Sequence, residues 1–156
     1  MTGALLLSGC STSVPVRPRI ELPAQPGSSI RLVIYRPQTL VGMWGKPTIL
    51  VNGQPMGIRG SPTNANFLAP GSVFVVDAPA SLARVGWIQT GKTEPDAQEI
   101  VFRDLPGATR HLRWTLKPTY GYLQEVEAGS ARDEIGPLRF TGYMDLVNPR
   151  PIQPGP

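Results

Sequence analysis

Few side chains in this sequence suit acid–base or metal chemistry. The 156 residues include one His and one Cys, which excludes a zinc site built from these ligands and an intramolecular disulfide. Glu125 and Glu127 lie two residues apart in a strand-like run, about 7 Å from each other on one face, a spacing that would suit a pair of acid and base carboxylates. We expect ion pairs of these side chains with Arg113 and His111 instead. We therefore predict no enzyme activity and no metal site, with a hydrolase built from Asp and Ser side chains as an alternative.

The first ten residues carry the most specific motif. They read Met-Thr-Gly-Ala-Leu-Leu-Leu-Ser-Gly-Cys, an apolar run that ends in two small residues and the single cysteine. Leu7-Ser8-Gly9-Cys10 resembles the lipobox of bacterial lipoproteins. The resemblance implies that Leu7, Ser8 and Gly9 form a signal-peptidase motif and that residues 1–9 are removed. Cys10 would then carry covalent diacylglycerol and an N-acyl lipid, and no other cofactor is expected.

This signal segment is shorter than secretory signals usually are. No Lys or Arg precedes Cys10, and only Ala4 to Leu7 are continuously apolar, whereas a secretory signal has a basic start and an apolar region of about 7 to 15 residues. We therefore expect the true start codon to lie upstream, in DNA that encodes a basic residue and a further apolar run.

Residues 10–29 are predicted to be a lipidated Cys followed by a Pro-rich tether. Residues 11–29 contain four prolines and no sustained apolar period, which is typical of an extended linker. Ser11 is not the Asp that retains many lipoproteins in the inner membrane, so the resemblance implies the periplasmic face of the outer membrane. No apolar stretch approaches the roughly 18 residues of a membrane-spanning helix, so we expect attachment through the lipid alone.

The body of the chain, residues 30–147, is predicted to be a single antiparallel β-sandwich of about seven to nine short strands. The 17 Gly and 18 Pro residues disfavour long helices, and short β-branched and aromatic runs recur about every ten residues. The predicted strands are 30–36, 47–51, 54–59, 72–77, 83–89, 98–104, 109–117, 121–127 and 138–147. One short helical turn is expected near 130–135, with a capping-box start at Ser130 and a stop at Gly136. Residues 148–156 form a Pro-rich tail.

Two hairpins have a predicted register. Asn52-Gly53 supplies the positive φ of a two-residue turn and places Ile49 opposite Met56. A three-residue loop at 118–120 would place Arg113 opposite Glu125 and His111 opposite Glu127. A four-residue loop would bring both glutamates to the apolar face, where an unpaired charge costs several kcal/mol, so we prefer the first register.

The body also resembles a bacterial lipoprotein domain of unknown function, related to the PEGA-type envelope modules. The resemblance covers roughly residues 30–127 and is carried by Ile34-Tyr35-Arg36-Pro37, Lys46-Pro47, Val51-Asn52-Gly53, Met56-Gly57 and Val73-Phe74-Val75-Val76. It implies a small β-sandwich in the cell envelope, and it implies no catalytic residue.

The Gly-rich loop 41–45 and residues that flank it hold the candidate contact residues. Trp44 lies between glycines and precedes Lys46, and an exposed indole can stack on a sugar or fill a partner's pocket. We assign Trp44, Lys46 and Arg36 as candidate contacts to a partner or glycan, although Trp44 could instead cover the end of the sandwich. Trp87 and Trp114 fall at inward positions and are expected in the core.

The charge pattern limits the partner. The formal net charge of +4 is spread along the chain, without the basic run interleaved with aromatics that is typical of nucleic-acid binding. We therefore expect no nucleic-acid partner. The expected function is that of a lipid-anchored structural or protein-interaction module with an envelope protein as partner. The alternative is a module that binds peptidoglycan or an acidic glycan.

Overall fold

Short runs in which apolar and polar residues alternate fold into strands close to the predicted positions. A computed structural model describes residues 21–39, 45–56, 67–89, 92–117 and 120–148. Within these ranges lie β1 (Ser29–Arg36), β2 (Pro47–Val51), β3 (Gln54–Pro55), β4 (Ser72–Pro79), β5 (Ala83–Gln89), β6 (Ile100–Phe102), β7 (Thr109–Leu116), β8 (Gly121–Val126), helix α1 (Ala128–Ile135) and β9 (Arg139–Asp145). The predicted all-β sandwich is confirmed.

The strands form two facing sheets. Sheet A has the order β8-β7-β1-β4-β9 and sheet B the order β3-β2-β5-β6. The expectation that all pairs are antiparallel is wrong for sheet A, where β1 pairs with β7 and β4 with β9 in parallel. The reason is connectivity: the chain passes through sheet B between β4 and β7, and through α1 between β8 and β9. Parallel neighbours require such crossovers rather than hairpins.

The main core lies between the two sheets. Even-numbered residues of β1 and β4 face sheet B and are almost fully buried, as are the inward residues of β2, β5 and β7. Trp87 of sheet B and Trp114 of sheet A meet edge to face, with ring centroids 5.7 Å apart and an interplanar angle of 79°. This geometry suits the quadrupoles of the two rings, and the prediction that both residues are core residues is confirmed.

A smaller core lies on the outer face of sheet A. Helix α1 crosses this face, and its buried Ala131 packs with Tyr35 and Val73. The helix begins at Ala128, two residues before the predicted start, because Glu127 rather than Ser130 is its N-cap: the Glu127 carboxylate accepts from the N–H groups of Gly129 and Ser130. The helix ends at Ile135, and Gly136 is its C-cap, which agrees with the predicted stop at this glycine.

The Asn52-Gly53 hairpin is confirmed. Asn52 and Gly53 have φ values of 50° and 76°, the positive values that a two-residue turn requires. Leu50 pairs with Pro55, and the Met56 N–H donates to the Ile49 carbonyl at 2.9 Å, which gives the predicted register.

The preferred register of β7 and β8 is wrong by one residue. Leu112 lies opposite Glu125 and His111 opposite Val126, which is the register of the four-residue loop. Glu125 is not buried in this register, because β8 is an edge strand. The Glu125 side chain is 44% exposed and pairs with Arg110 at 3.0 Å. Glu127 has already left the strand and caps α1. The energetic penalty that argued against this register therefore does not arise.

The segment before β1 is bonded to the sandwich. The Arg31 Nη2 donates to the Pro23 carbonyl at 2.7 Å, and the Gln25 side-chain amide donates to the carbonyls of Ser29 and Ala108. Among the described residues, contacts with the sandwich therefore already occur at Pro23 and Gln25, before the predicted start of the domain at Ile30.

Close packing at Gly121 makes a first prediction. A Cβ at this position would lie 2.9 Å from Trp114 Cε2, so Gly121→Ala forces the buried indole to shift. We expect a loss of about 1–3 kcal/mol in the free energy of unfolding, measured by urea denaturation. Gly27→Ala is the matched control, because a Cβ there meets nothing within 4 Å, and we expect a change within about 0.5 kcal/mol. Equal effects of the two substitutions would contradict this packing.

Candidate functional site

The predicted contact residue Arg36 lies at the end of β1, where strand alternation determines its direction. Ile30, Leu32 and Ile34 face the core, and Arg36 follows them on the same face. Its residue exposure is 4%. The guanidinium Nη1 donates to the carbonyls of Gly45 at 2.6 Å and Leu68 at 2.9 Å. The guanidinium also lies over the Trp114 ring, 4.7 Å from its centroid.

These contacts correct the assignment of Arg36 as a surface contact. The side chain ties the segments at Gly45 and Leu68 to the core, so it organises the loops at this end of the sandwich, which we call the loop end. Burial lowers the pKa of Arg36 to about 10, and the group stays charged at neutral pH. In the sequence, every second residue from Ile30 to Ile34 is apolar, and Arg36 is the next residue in this series. The alternation therefore predicts that the Arg36 side chain points inward.

The other predicted contact residues are only partly described. Lys46 is exposed at the loop end, with its Nζ 5.6 Å from the centroid of the Phe67 ring. Trp44 lies outside the described residues, as do Leu7, Ser8, Gly9 and Cys10. The structure therefore brings Arg36 and Lys46 to the same end of the sandwich but gives them different roles, one structural and one on the surface.

A buried ionic cluster that the sequence analysis missed lies at the opposite end, which we call the entry end. Asp77 is fully buried, and its carboxylate accepts from Arg31 Nε at 2.8 Å, from Arg31 Nη2 at 2.7 Å and from the Tyr143 hydroxyl at 2.6 Å. Burial and the bond to Asp77 raise the pKa of Tyr143 to about 12. In the sequence, the cluster could have been anticipated from Asp77, an acidic residue inside the otherwise apolar run 73–78. The cluster holds the incoming chain, because Arg31 also binds the Pro23 carbonyl.

The candidate acid–base residues are engaged in other contacts. Arg113 pairs with Glu134 of α1 at 2.8 Å, rather than with Glu125 as predicted. Arg110 bridges Asp104 and Glu125. Glu125 and Glu127 therefore act as an ion-pair partner and a helix cap. In the described ranges there is no group of three or more His, Cys, Asp or Glu side chains that could hold a metal ion.

His111 lies on the outer face of sheet A beside α1, and it is half-buried rather than fully exposed. Burial lowers its pKa below the ordinary 6.5, the positive charge of Arg132 adds to this effect, and Glu127 opposes it. The imidazole is therefore neutral at pH 7, held against a positive neighbour on the helix.

Comparison with known proteins finds no matching family model, no matching curated protein and no matching solved structure. Among the residues described, no helix is long and apolar enough to span a membrane.

The burial of Arg36 makes a second prediction. Arg36→Ala leaves the carbonyls of Gly45 and Leu68 without this donor and opens space above Trp114, so we expect a loss of about 2–4 kcal/mol in the free energy of unfolding. The control is Arg103→Ala, at an exposed position, for which we expect a change within about 0.5 kcal/mol. Small, equal losses would show that Arg36 does not organise the loop end.

The setting of His111 makes a third prediction. Because the lowered pKa favours the neutral imidazole in the folded state, the unfolded state binds more protons in acid. The contribution of His111 to the free energy of unfolding is therefore complete above pH 6.5, and it is lost as the pH falls through the pKa of His111 in the folded state. An NMR titration of this imidazole should give a midpoint below 6.5, and Arg132→Gln should raise it. Arg103→Gln, at an exposed loop position, should leave it unchanged. A midpoint at or above 6.5 in the unmodified chain would be inconsistent with this setting.

Proposed function

We propose that this chain is a lipid-anchored module of the bacterial cell envelope, with a structural or protein-interaction role and no catalysis. The motif Leu7-Ser8-Gly9-Cys10 supports attachment through Cys10. Ser11 after the cysteine supports the periplasmic face of the outer membrane. The resemblance to PEGA-type envelope modules supports the same compartment.

The observation that carries the proposal is the placement of the two ends of β1. The chain reaches the domain at Pro23 and enters β1 at Ser29, beside the Asp77 cluster. It leaves β1 at Arg36, directly before the loop that contains Trp44 and Lys46. Because β1 has eight residues, its two ends lie roughly 24 Å apart. A lipid on Cys10 would therefore attach the membrane to the entry end and leave the loop end free to meet a partner.

The energetics of acylation suit permanent attachment. One acyl chain gives marginal, reversible membrane binding, whereas two or three chains hold a protein on the membrane for long periods. The domain then meets neighbours on the same membrane at a high effective concentration. A weak contact at the loop end would be sufficient for a stable assembly with an envelope protein.

The ion pairs also support a binding role. Asp77, Glu125 and Glu134 accept from arginine side chains, and the Glu127 carboxylate caps α1. These carboxylates hold strands and helix in place, and Asp77 does so through Arg31, which also binds the Pro23 carbonyl. Lys46 is exposed at the loop end.

Anchoring makes a fourth prediction. When the gene is expressed from its own upstream DNA in a Gram-negative bacterium, we expect the protein to incorporate an alkyne fatty acid and to float with outer-membrane vesicles. Cys10→Ser removes the thiol that accepts the lipid, and we expect loss of the label. Ser11→Ala, next in the chain, should keep the label.

Two results would contradict the proposal. One is a Cys10→Ser protein that still carries the fatty acid. The other is an unmodified protein that stays unlabelled and soluble. Crosslinking in intact cells then tests the partner: we expect a reproducible envelope protein, captured through residues of the loop end.

A further inference from the structure

The hairpin between β7 and β8 carries an exposed aromatic and basic surface at its tip. β7 runs parallel to β1 and pairs Arg113 with Tyr35. It continues to Leu116, whereas β1 ends at Arg36, so the tip projects beyond the end of β1. We call this tip the hairpin surface, and its residues are Lys117, Tyr120 and Tyr122.

The hairpin surface is separate from the loops that Arg36 binds. Trp114 faces the core, so the next residue, Thr115, and its partner Tyr122 lie on the outer face of sheet A. Arg36 and its carbonyl partners lie on the core side of the same sheet. The hairpin surface therefore lies on a different side of sheet A from those loops.

A lysine and two tyrosine rings are held together on this surface. The Lys117 Nζ lies 5.8 Å from the centroid of the Tyr120 ring and 5.2 Å from that of the Tyr122 ring, within the range of cation–π contacts. The two ring centroids are 6.1 Å apart. The Lys117 backbone N–H donates to the Tyr120 carbonyl at 2.8 Å, which closes the hairpin. Lys117 is exposed and Tyr120 is 55% exposed, so a ligand in solution reaches both.

The charge of the hairpin surface is positive. Glu125 is the only acidic residue between 109 and 126. It lies near the other end of β8, where it pairs with Arg110. In the part of the chain that the structure describes, Lys117 forms no ion pair with a carboxylate. An anionic group beside Tyr120 would therefore meet an ammonium group that no carboxylate of these residues neutralises.

The edge of β8 is already occupied, which disfavours an extended peptide as the ligand. The Gln98 side-chain amide donates to the Leu123 carbonyl at 2.6 Å and accepts from the Leu123 N–H at 2.7 Å, as a neighbouring strand would. A peptide that joined this edge as a further strand would have to displace Gln98. The hairpin surface therefore favours a ligand that is held by side chains alone.

A carboxylated sugar matches these features. The aliphatic C–H face of a sugar ring packs on an aromatic ring, its hydroxyls bond to tyrosine hydroxyls, which donate and accept, and its carboxylate pairs with an ammonium group. We propose that the hairpin surface binds a carboxylated sugar unit of an acidic glycan, with Tyr120 as the stacking contact and Lys117 as the carboxylate contact. This site is additional to the proposed protein contact and does not rest on the lipid anchor.

The proposal is tested in solution on the full 156-residue chain with Cys10→Ser, produced from Met1 in the cytosol, where no lipid is added. The probes are trigalacturonate, its methyl ester, which keeps the sugar rings and lacks the charges, and triglutamate, which keeps three side-chain carboxylates and lacks the rings. Each is added up to about 10 mM, a concentration that reveals millimolar affinity.

The readout is the NMR signal of each tyrosine ring, assigned by substituting each tyrosine in turn with Phe. We expect trigalacturonate to move the Tyr120 and Tyr122 signals and to leave the signal of the fully buried Tyr35 nearly in place. The methyl ester should bind more weakly, and added salt should weaken the binding of trigalacturonate, because the contact with Lys117 is exposed.

Two substitutions with matched controls test the two contacts separately. Tyr120→Ala removes the stacking ring, and we expect the affinity for trigalacturonate to fall about fivefold. Leu105→Ala shortens another exposed apolar side chain and should leave the affinity unchanged. Lys117→Gln should lower the affinity for trigalacturonate about threefold and leave that for the methyl ester unchanged. Lys92→Gln, at another exposed lysine, should affect neither.

Four outcomes would overturn the proposal. They are unmoved Tyr120 and Tyr122 signals with trigalacturonate, equal affinity for the methyl ester, equal or tighter binding of triglutamate, and equal effects of Lys117→Gln and Lys92→Gln. Tighter binding of triglutamate would instead indicate an acidic protein segment as the ligand. None of these outcomes bears on acylation of Cys10, so failure here leaves the anchoring proposal standing.

Discussion

The pairing of β1 with β4 at the centre of sheet A is the constraint on which the rest of the fold depends. One face of this pair is covered by sheet B, and the other carries Tyr35 and Val73, which also need cover. Helix α1 supplies that cover by crossing the sheet between its two edge strands. A simple antiparallel sandwich would leave this second apolar face in water. The parallel pairs and the late helix are thus consequences of burying the same two strands on both sides.

Two buried charges mark the ends of this central pair, and each organises a different part of the chain. Asp77 is saturated by Arg31 and Tyr143, and Arg31 also fixes the incoming segment at Pro23. Arg36 binds carbonyls of the loops at the other end. A buried charge is costly unless it is fully bonded, so these contacts restrict both ends to one arrangement. The domain therefore has a defined entry end and a defined loop end.

The sequence predicted the strands, the Asn52-Gly53 hairpin and the two core tryptophans, because alternation and turn chemistry are local signals. The predictions failed where contacts between elements that are distant in the sequence determine the structure. The β7–β8 register was rejected on the assumption that Glu125 would be buried, and nothing local shows that β8 is an edge strand with Arg110 in reach. The sequence analysis assigned Arg36 as a candidate contact, although it lies two residues after the inward-facing Ile34 on the same strand and the alternation therefore predicts that it points inward. The Asp77 cluster joins residues 31, 77 and 143, a set that only the folded sheet brings together.

In the proposed account, a rigid sandwich is tied to a membrane at one end and meets its partners with the rest of its surface. In this account the loop end is the surface for a protein partner, and its position depends on the fixed geometry described above. The most direct test of the anchoring claim is the intact mass of the protein extracted from native membranes. The account predicts a chain that begins at Cys10 and carries a diacylglycerol group and an N-acyl chain. A chain that retains Met1 to Gly9 and carries no acyl group would contradict it.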